Sequence, residues 1–322
     1  MKTLLLTNHY EGEPLKILKS VVNGRFHLKM LDEVTQEDLK EKITEADYLL
    51  VSGRIKIGQD ALQHASKLKM IQRTGVGLDS LDLEYMAQNN IPLYVNRGIN
   101  ANSVAEHTLF LMLSVLRRAY FVNLQIRKGI WRKQQTGLTT HELQGKTVGI
   151  VGIGEIGKRV AELLKPFGVK CLYYDVIKLS VEEASRRGVE YCEFDQLMRE
   201  SDIITLHCGM SKENKHLIAT KEIEMMKDGG ILINTARGGL IDTSALSEAL
   251  KNGKLSGAGI DTFEEEPINI GNPLLELENV ILSPHIGGVT YEAFEKMMVR
   301  ALDNIVAYDE NRLEDIAKNR RV

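Results

Sequence analysis

Short apolar runs alternate with amphipathic segments along nearly the whole chain. Strands that alternate with helices in this way are typical of parallel sheets with crossover helices. In the first third of the chain, segments with helical spacing, such as 35–46 and 58–68, separate the apolar runs. The pattern predicts five strands there, at residues 2–8, 26–31, 48–52, 69–73 and 92–95.

A second alternation of the same kind begins at Lys146. Its six predicted strands lie in KTVGIVG, VKCLYYD, DIITLHC, GILINTA, SGAGIDTF and NVILSPH. One long amphipathic helix follows at about residues 290–309, and because no strand remains for it to join, we expect it to pack on the first half. The predicted fold class is α/β, with two doubly wound parallel-sheet domains. One domain would comprise residues 1–99 and 289–322, and the other residues 100–288.

The segment NANSVAEHTLFLMLSVLRRAY predicts a helix that opens with a capping box, because Ser103 and Glu106 have the required spacing. Its apolar residues occur on every face, which is typical of a helix that is buried all round. Two interpretations remain open. The helix is covered by the other domain or by a second subunit, or it is an ordinary core helix.

Length and composition restrict the class of protein. The 322 residues, 43% of them hydrophobic, suffice for two hydrophobic cores. The net charge of -3 gives no reason to expect nucleic acid or an anionic membrane as a partner. Three scattered cysteines, Cys171, Cys192 and Cys208, predict reduced thiols and no metal site. The N-terminus lacks the long apolar stretch of a signal peptide, so we expect a cytoplasmic protein.

The segment TVGIVGIGEIGKRVAELL carries Gly152, Gly154 and Gly157 in G-x-G-x-x-G spacing, between a predicted strand and a predicted helix. Gly152 permits a tight turn, Gly154 lets the backbone approach a pyrophosphate, and Gly157 lets the helix pack closely on the strand. The amino terminus of the helix then faces the negative charge of the ligand. This spacing predicts a dinucleotide-binding domain.

The next predicted strand ends at Asp175, where a carboxylate that binds the adenosine ribose is expected. That carboxylate would accept hydrogen bonds from both ribose hydroxyls and would repel a 2′-phosphate, which favours NAD over NADP. Lys178 follows closely, and its positive charge leaves the use of NADP open.

Three later strands end in residues that can take part in chemistry. They are Arg237 in INTARGG, Asp261 and Glu266 in GIDTFEEEP, and His285 in SPHIGG. Each has a simpler interpretation: a surface ion pair for the arginine, a solvated loop for the acidic residues, and a helix cap or a core position for the histidine. Ligands of open parallel sheets bind beyond the carboxyl ends of the strands, so all three together predict a catalytic group.

The motifs GVGLD, NSVAEHT, GIVGIGEIG, NTARGG, DTFEEEP and PHIGG closely resemble those of the D-isomer-specific 2-hydroxyacid dehydrogenases, and the resemblance covers nearly the entire chain. It implies a Rossmann coenzyme domain that binds NAD, a flavodoxin-like substrate domain completed by the C-terminal helix, and a homodimer. It also implies that Arg237, Glu266 and His285 are the catalytic residues.

These residue types suit the reduction of a 2-oxo acid, which needs a hydride at the carbonyl carbon and a proton at its oxygen. A histidine can supply the proton because its unperturbed pKa lies near neutrality. Glu266 would orient the ring of His285 and favour its charged form. Arg237 would bind the carboxylate and carbonyl oxygens with its planar fork of donors, and the glycines after it would bring backbone close to the substrate.

The resemblance also assigns further contacts. Val76 and Gly77 match a turn whose backbone amides hold the substrate carboxylate, although a plain strand-to-helix turn is the alternative. For Cys208, a packing role and a redox thiol are alternatives. The remaining predicted cofactor contacts are Glu155 and Ile156 at the pyrophosphate, Cys208 and Thr235 beside the ribose, Asp261 at the nicotinamide amide, Thr108 in the nicotinamide pocket, and Ala236 and Gly287.

The sequence leaves the substrate undetermined. Arg54 in VSGRIKI could bind a distal phosphate or carboxylate of the substrate, or could face solvent. Glyoxylate, hydroxypyruvate, pyruvate and phosphohydroxypyruvate all fit. Two other functions remain as alternatives: a non-enzymatic, NAD-sensing protein similar to transcriptional corepressors, and a phosphite or formate dehydrogenase.

Overall fold

The computed structural model of the protein describes residues 1–53 and 55–322. The described chain divides into two compact units. Unit 1 comprises Met1–Asn100 and Thr290–Val322, and unit 2 comprises Ala101–Val289. The strands of each unit form one sheet, and neighbouring strands pair in parallel throughout. The predicted fold class, two parallel-sheet α/β domains, is confirmed.

The first hundred residues of unit 1 follow the predicted alternation. The strands are β1 (Thr3–Leu6), β2 (His27–Met30), β3 (Tyr48–Val51), β4 (Met70–Arg73) and β5 (Leu93–Val95). The helices are α1 (Gly12–Val22), α2 (Gln36–Lys42), α3 (Gln59–Leu62) and α4 (Leu83–Gln88). The order β2-β1-β3-β4-β5 is that of the flavodoxin-like fold. All four residues of β3 are buried, as expected of a central parallel strand. The helical pattern at 58–68 yields only the single turn of α3.

Unit 2 contains the second sheet. Its strands are β6 (Thr147–Val151), β7 (Lys170–Tyr174), β8 (Val189–Tyr191), β9 (Ile203–Leu206), β10 (Gly230–Asn234), β11 (Leu255–Ile260) and β12 (Val280–Leu282). Its helices are α5 (Ala101–Leu116), α6 (Ala119–Arg127), α7 (Lys133–Gly137), α8 (Glu155–Leu164), α9 (Val181–Arg187), α10 (Phe194–Glu200), α11 (Thr220–Met225) and α12 (Thr243–Lys251). The order β12-β11-β10-β9-β6-β7-β8 is the Rossmann order with one further strand.

The edge strand β8 was not predicted from the sequence. It has only three residues, and its central residue, Glu190, is exposed. A strand this short at the edge of a sheet carries too few apolar residues to produce a recognisable pattern.

Helix α5 differs from its prediction at its amino terminus. It begins at Ala101, so Ser103 lies inside the first turn and donates to the carbonyl of Gly287 at 2.7 Å; the predicted capping box was wrong. Within the single chain, Asn102, Glu106 and Phe110 form an exposed stripe on the helix, so cover of this stripe by a second subunit stays a prediction. The rest of the helix packs in the core of unit 2, as the ordinary core-helix interpretation expected.

Two glycines in β11 make room for α5. A Cβ atom at Gly257 would lie 2.5 Å from a Val115 methyl carbon, and one at Gly259 would lie 2.8 Å from Leu111 Cβ. The pattern SGAGI in this strand therefore forms a flat surface on which the helix packs closely. In the described part of the chain, no single helix has the length and hydrophobicity of a membrane span, although α5 and α6 together, bent by 61°, meet that criterion.

The chain returns to unit 1 through α13 (Tyr291–Asp309) and α14 (Leu313–Ile316). The predicted long helix is thus present, and Met298, Ala301 and Ile305 on α13 are buried against the core of unit 1. Buried amides reinforce this packing. Asn96 Nδ2 donates to the carbonyl of Met297 at 2.9 Å, and Asn304 Nδ2 donates to the side-chain oxygen of Gln72 at 3.0 Å. A buried polar network of this kind fixes one arrangement of helix and sheet. Asn319 Nδ2 joins the network through Asn304 Oδ1 at 3.1 Å.

Candidate active site

The glycine loop joins β6 to α8. Gly152 has φ +96°, and a Cβ atom there would lie 2.6 Å from the backbone nitrogen of Cys208. A Cβ atom at Gly157 would lie 2.1 Å from the carbonyl oxygen of Gly152. Both positions therefore require glycine for close packing within the protein.

Gly154 differs from the other two glycines because a Cβ atom there would meet no protein atom within 4 Å. It precedes the ten-residue helix α8, whose first turn receives no hydrogen bond from a capping side chain in the described residues. The first amides of a helix have no partner within the helix and carry the positive end of the helix dipole. A pyrophosphate fits these features, so the loop and helix α8 are suited to NAD.

Asp175 lies at the end of β7, beside the glycine loop. Its Oδ2 accepts a hydrogen bond from the amide of Ile153 at 2.7 Å, and its Oδ1 accepts one from the amide of Ile177 at 3.0 Å. Lys178 turns toward other partners. Its ammonium lies 3.8 Å from the ring centroid of Tyr191 and 3.7 Å from Glu193 Oε1. Among the described residues no cation forms an ion pair with Asp175, so its negative charge is available to repel a 2′-phosphate.

The three cysteines do not have the properties of redox thiols. Burial raises the pKa of Cys208 to about 11, and it also raises the pKa values of Cys171 and Cys192 to about 11. Only a thiolate reacts readily, and these thiols remain protonated near neutral pH. The packing interpretation of Cys208 is therefore the better supported, because its backbone lies against Gly152.

Asn234 and Gly238 shape the turn that carries Arg237. Asn234, the last residue of β10, donates from Nδ2 to the carbonyl of Arg237 at 2.9 Å and accepts from the amide of Ala236 at 3.0 Å. A Cβ atom at Gly238 would lie 1.9 Å from the carbonyl carbon of Phe263. Gly238 therefore lets the turn lie against the loop after β11. The expectation that the glycines bring backbone close to the substrate stays a prediction.

The imidazole of His285 is paired with a carboxylate. Its Nδ1 lies 2.9 Å from Glu266 Oε2 and 3.2 Å from Oε1, and the amide of Phe263 donates to Glu266 Oε1 at 2.8 Å. His285 has φ +57°, in the left-handed region. Such a conformation costs on the order of 1 kcal/mol for a non-glycine residue and is common at functional sites. The ring and the carboxylate are thus held in one mutual orientation.

Asp261 is buried at the end of β11 and binds the loop that carries His285. Its Oδ1 accepts from Ser283 Oγ at 2.6 Å and from the amide of Ile286 at 2.9 Å, and its Oδ2 accepts from the amide of Gly287 at 2.9 Å. Burial alone would raise the pKa of Asp261. The hydrogen bonds, including one from His107, outweigh burial and hold the pKa below its usual value.

Sequence reasoning missed two residues of this network. His107 Nε2 lies 2.8 Å from Ser283 Oγ and 3.4 Å from Asp261 Oδ1. His107 stands in NSVAEHT, one of the motifs that carry the family resemblance, and Ser283 directly precedes another, PHIGG. Those motifs were a signal of their importance, but nothing in the sequence indicated that they contact each other.

Thr108 and Thr235 are buried side by side. Their hydroxyl oxygens lie 3.0 Å apart, and Thr108 Oγ1 also lies 2.8 Å from the carbonyl of Val104. The structure therefore joins α5 to the end of β10 at two of the predicted cofactor residues. Contacts of these residues with the nicotinamide stay predictions.

In unit 1, the predicted carboxylate turn follows β4. Val76 is exposed, and the carbonyl of Gly77 accepts from Arg73 Nε at 3.0 Å. Arg73 Nη1 also donates to the carbonyl of Gly53 at 3.0 Å, which links this turn to the loop after β3. Arg54 lies outside the described residues, so its predicted role in substrate binding stays a prediction.

We predict that Asp261→Asn weakens the dependence of stability on acid. The pKa of Asp261 is lower in the folded protein than in the unfolded chain. Its contribution to the free energy of unfolding is therefore complete above about pH 5, and it is lost as the pH falls through the unfolded and then the folded pKa. The variant should lose about 2 kcal/mol of unfolding free energy at pH 7, because a charge-assisted hydrogen bond is replaced. Urea unfolding at several pH values between 7 and 3 measures both effects.

The exposed carboxylate of Asp195 offers the control, since Asp195→Asn should change neither quantity appreciably. An Asp261→Asn variant with the stability and acid response of the wild type would contradict the role assigned to this carboxylate.

Comparison with known proteins identifies the family. Residues 109–287 match the family model described as D-isomer specific 2-hydroxyacid dehydrogenase, NAD binding domain. The chain is 40% identical over 275 residues to a glyoxylate reductase of Thermococcus litoralis, and the match covers 84% of this chain and 82% of that protein. It is 39% identical over 295 residues to a D-3-phosphoglycerate dehydrogenase of Methanocaldococcus jannaschii, and this match covers 91% of this chain and 55% of that protein.

A solved structure agrees with these relatives. The D-lactate dehydrogenase of Aquifex aeolicus, in complex with NAD and lactic acid, has a TM-score of 0.86 and 31% identity, over 99% of this chain and 98% of that one. The chain therefore belongs to the D-isomer-specific 2-hydroxyacid dehydrogenases, and it is an NAD-dependent oxidoreductase that acts on the CH–OH group of its donor.

Proposed function

We propose that this enzyme interconverts a small 2-oxo acid and the corresponding D-2-hydroxy acid, with glyoxylate, hydroxypyruvate, pyruvate and phosphohydroxypyruvate as the candidate substrates. The observation that carries the proposal is the contact of 2.9 Å between His285 Nδ1 and Glu266 Oε2, on loops that follow β12 and β11. Ligands of this sheet architecture bind at the carboxyl ends of the strands. A histidine oriented by a carboxylate at this edge is suited to acid–base catalysis.

His285 is the proposed acid and base. With Nδ1 hydrogen-bonded to Glu266, the other ring nitrogen, Nε2, is the one that gives a proton to the carbonyl oxygen of the 2-oxo acid or takes it from the hydroxyl. Glu266 fixes the orientation of the ring through its contact with Nδ1. The coenzyme, when bound, supplies or accepts the hydride.

Arg237 is the proposed substrate clamp. Its guanidinium presents parallel N–H donors that match a carboxylate, which a lysine cannot reproduce. For the turn after β4, the family resemblance supports the separate proposal that backbone amides of Val76 and Gly77 bind a substrate carboxylate. Fixing the acid group in this way orients the neighbouring carbonyl, and orientation is a large part of enzymatic rate enhancement.

The proposed coenzyme contacts follow the open face of the glycine loop. Gly154, Glu155 and Ile156 would hold the pyrophosphate at the start of α8, and Asp175 would bind the adenosine ribose. The other proposed contacts, toward the second ribose and the nicotinamide, are Cys208, Thr235, Ala236, Thr108, Asp261 and Gly287.

A panel of 2-oxo acids tests the proposed activity. With NADH, at least one of glyoxylate, hydroxypyruvate, pyruvate and phosphohydroxypyruvate should turn over at about 1 s⁻¹ or faster, the low end of ordinary enzymes. Glycolate, the product from glyoxylate, is achiral, but oxidation of the D and L forms of the other matching hydroxy acids, followed by NADH absorbance, should show activity with the D form. Turnover far below that rate on every one of these acids would contradict the proposed substrates.

We predict that His285→Ala lowers kcat by about 10²–10⁴-fold, because it removes the general acid. The Kd for NADH, measured by fluorescence, should stay close to that of the wild type. His64 is exposed in unit 1 and offers a matched control, since His64→Ala should retain full activity. A His285→Ala enzyme within about threefold of wild-type kcat would remove this histidine from the proposed role.

A homodimer is also part of the proposal. None of the residues in helices α6 and α7 is buried in the described structure. Four large apolar side chains in and next to these helices are exposed, namely Tyr120, Ile126, Trp131 and Leu138. Trp131 and Leu138 have exposed fractions of 81% and 86%. Apolar side chains so concentrated mark a surface that another molecule covers. We propose that a second copy of the chain covers this surface, and that the dimer occurs in the cytoplasm. The proposed interface then lies in the segment that follows α5 in the chain.

We predict that Trp131→Glu dissociates this dimer, because a charge on the covered surface would have to be buried without a partner. Sedimentation at micromolar concentration should show about twice 36.2 kDa for the wild type and 36.2 kDa for the variant. Ile270 is 95% exposed elsewhere in unit 2, and Ile270→Glu should leave the mass unchanged. A wild-type protein of 36.2 kDa would refute the dimer.

A further inference from the structure

Glu264 joins three of the loops that follow the strands of unit 2. Its Oε1 accepts a hydrogen bond from His216 Nε2 at 2.6 Å, in the loop after β9. Its Oε2 accepts from Thr243 Oγ1 at 2.7 Å, where the loop after β10 enters α12. Glu264 itself lies in the loop after β11. One carboxylate thus connects the ends of three neighbouring strands.

Backbone contacts bring the same loops together. The amide of His216 donates to the carbonyl of Gly239 at 2.8 Å, and the amide of Ile218 donates to the carbonyl of Leu240 at 2.9 Å. A Cβ atom at Gly238 would lie 2.4 Å from the backbone nitrogen of Glu264. Because the backbones lie so close, a displacement of one loop must displace its neighbour.

The loops that Glu264 joins carry the proposed catalytic residues. Arg237 directly precedes Gly238, so the turn that bears the substrate clamp rests on the backbone of Phe263 and Glu264. Glu266 follows in the same loop as Glu264, and its Oε1 accepts from the amide of Phe263 at 2.8 Å. A shift at Glu264 would therefore change the position of Arg237 relative to Glu266 and the histidine that Glu266 holds.

The size of the effect separates positioning from simple stabilisation. The side chains of His216 and Glu264 are 35% and 34% exposed, and a pair this exposed to solvent contributes little to stability. A misplacement of about 1 Å in an active site, by contrast, can cost about 10²-fold in rate. If the pair positions catalytic groups, its loss should appear in turnover far more than in stability.

We propose that Glu264 and His216 are positioning residues that set the spacing between Arg237 and the Glu266–His285 pair. Neither is proposed to contact the substrate or the coenzyme. This inference rests on the proposed function, because it takes over the roles assigned there to Arg237, Glu266 and His285.

A double-mutant cycle tests the inference. The variants are Glu264→Ala, His216→Ala, the combination of both, and Glu264→Gln, which keeps the acceptor for Thr243. Each is assayed for kcat and KM with the 2-oxo acid that the wild type turns over fastest, for the Kd of NADH, and for thermal unfolding. Each alanine variant should lose about tenfold or more in kcat/KM, through misplaced groups.

The kcat/KM of the double variant should be no more than about twofold below that of the less active single variant, because the effects of coupled residues are not additive. Glu264→Gln should recover part of the lost activity. The Kd for NADH should change less than kcat/KM does, because the proposed pyrophosphate and adenosine-ribose contacts, the glycine loop and Asp175, lie on other strands.

The chain offers a matched ion pair as a control. Lys227 Nζ lies 2.8 Å from Asp202 Oδ1, with exposed fractions of 42% and 32%, at the opposite, amino ends of β9 and β10. Lys227→Ala breaks a pair of similar length and exposure in the same sheet, and it should leave kcat/KM unchanged.

Several results would overturn the inference. Alanine variants with kcat/KM within twofold of the wild type would do so, as would single effects that simply multiply in the combination. A loss of kcat/KM matched by an equal loss in the Lys227→Ala control, or accompanied by weaker NADH binding and a lower melting temperature, would show a structural role only. A wild-type enzyme inactive on every 2-oxo acid would instead remove the proposed function, and the inference with it.

Discussion

Parallel pairing in the sheet of unit 2 is the constraint on which the candidate active site depends. Asn234 pairs with Ile260, and Ile260 pairs with Leu282, so β10, β11 and β12 end at the same edge. The residues that follow these three strands supply the proposed clamp, the carboxylate and the histidine. Backbone hydrogen bonds thereby collect side chains that are far apart in the chain, and the side chains need no attraction for one another to meet.

Close approach of the loops at this edge depends on glycine. Gly152 lies against Cys208, and Gly238 lies against Phe263, at distances that leave no room for a Cβ atom. Gly154 is different, because the space above it holds no protein atom. Within the fingerprint, Gly152 and Gly157 thus serve packing within the protein, and Gly154 leaves a surface on which a pyrophosphate can lie. The same residue type therefore has two physical functions in a single motif.

Irregular loops must find partners for backbone groups that no strand or helix satisfies. At this site, side-chain oxygens provide them. Asp261 accepts from the amides of Ile286 and Gly287, and Asn234 accepts from the amide of Ala236. Because each acceptor is fixed at the end of a strand, the loops inherit the rigidity of the sheet. Catalytic geometry is held more precisely on such supported loops than on mobile ones.

The sequence by itself determined the strands other than β8, the long terminal helix, the class of both domains and the fingerprint, because hydrophobic periodicity and glycine spacing are local properties of the chain. Local patterns did not determine where α5 begins or that β8 exists. Only the tertiary structure decided that Gly238 packs on a neighbouring loop, that His107 and Ser283 support Asp261, and that Glu264 joins three loops. Those contacts depend on distances across the sheet between residues far apart in the chain, and no local spacing records such distances.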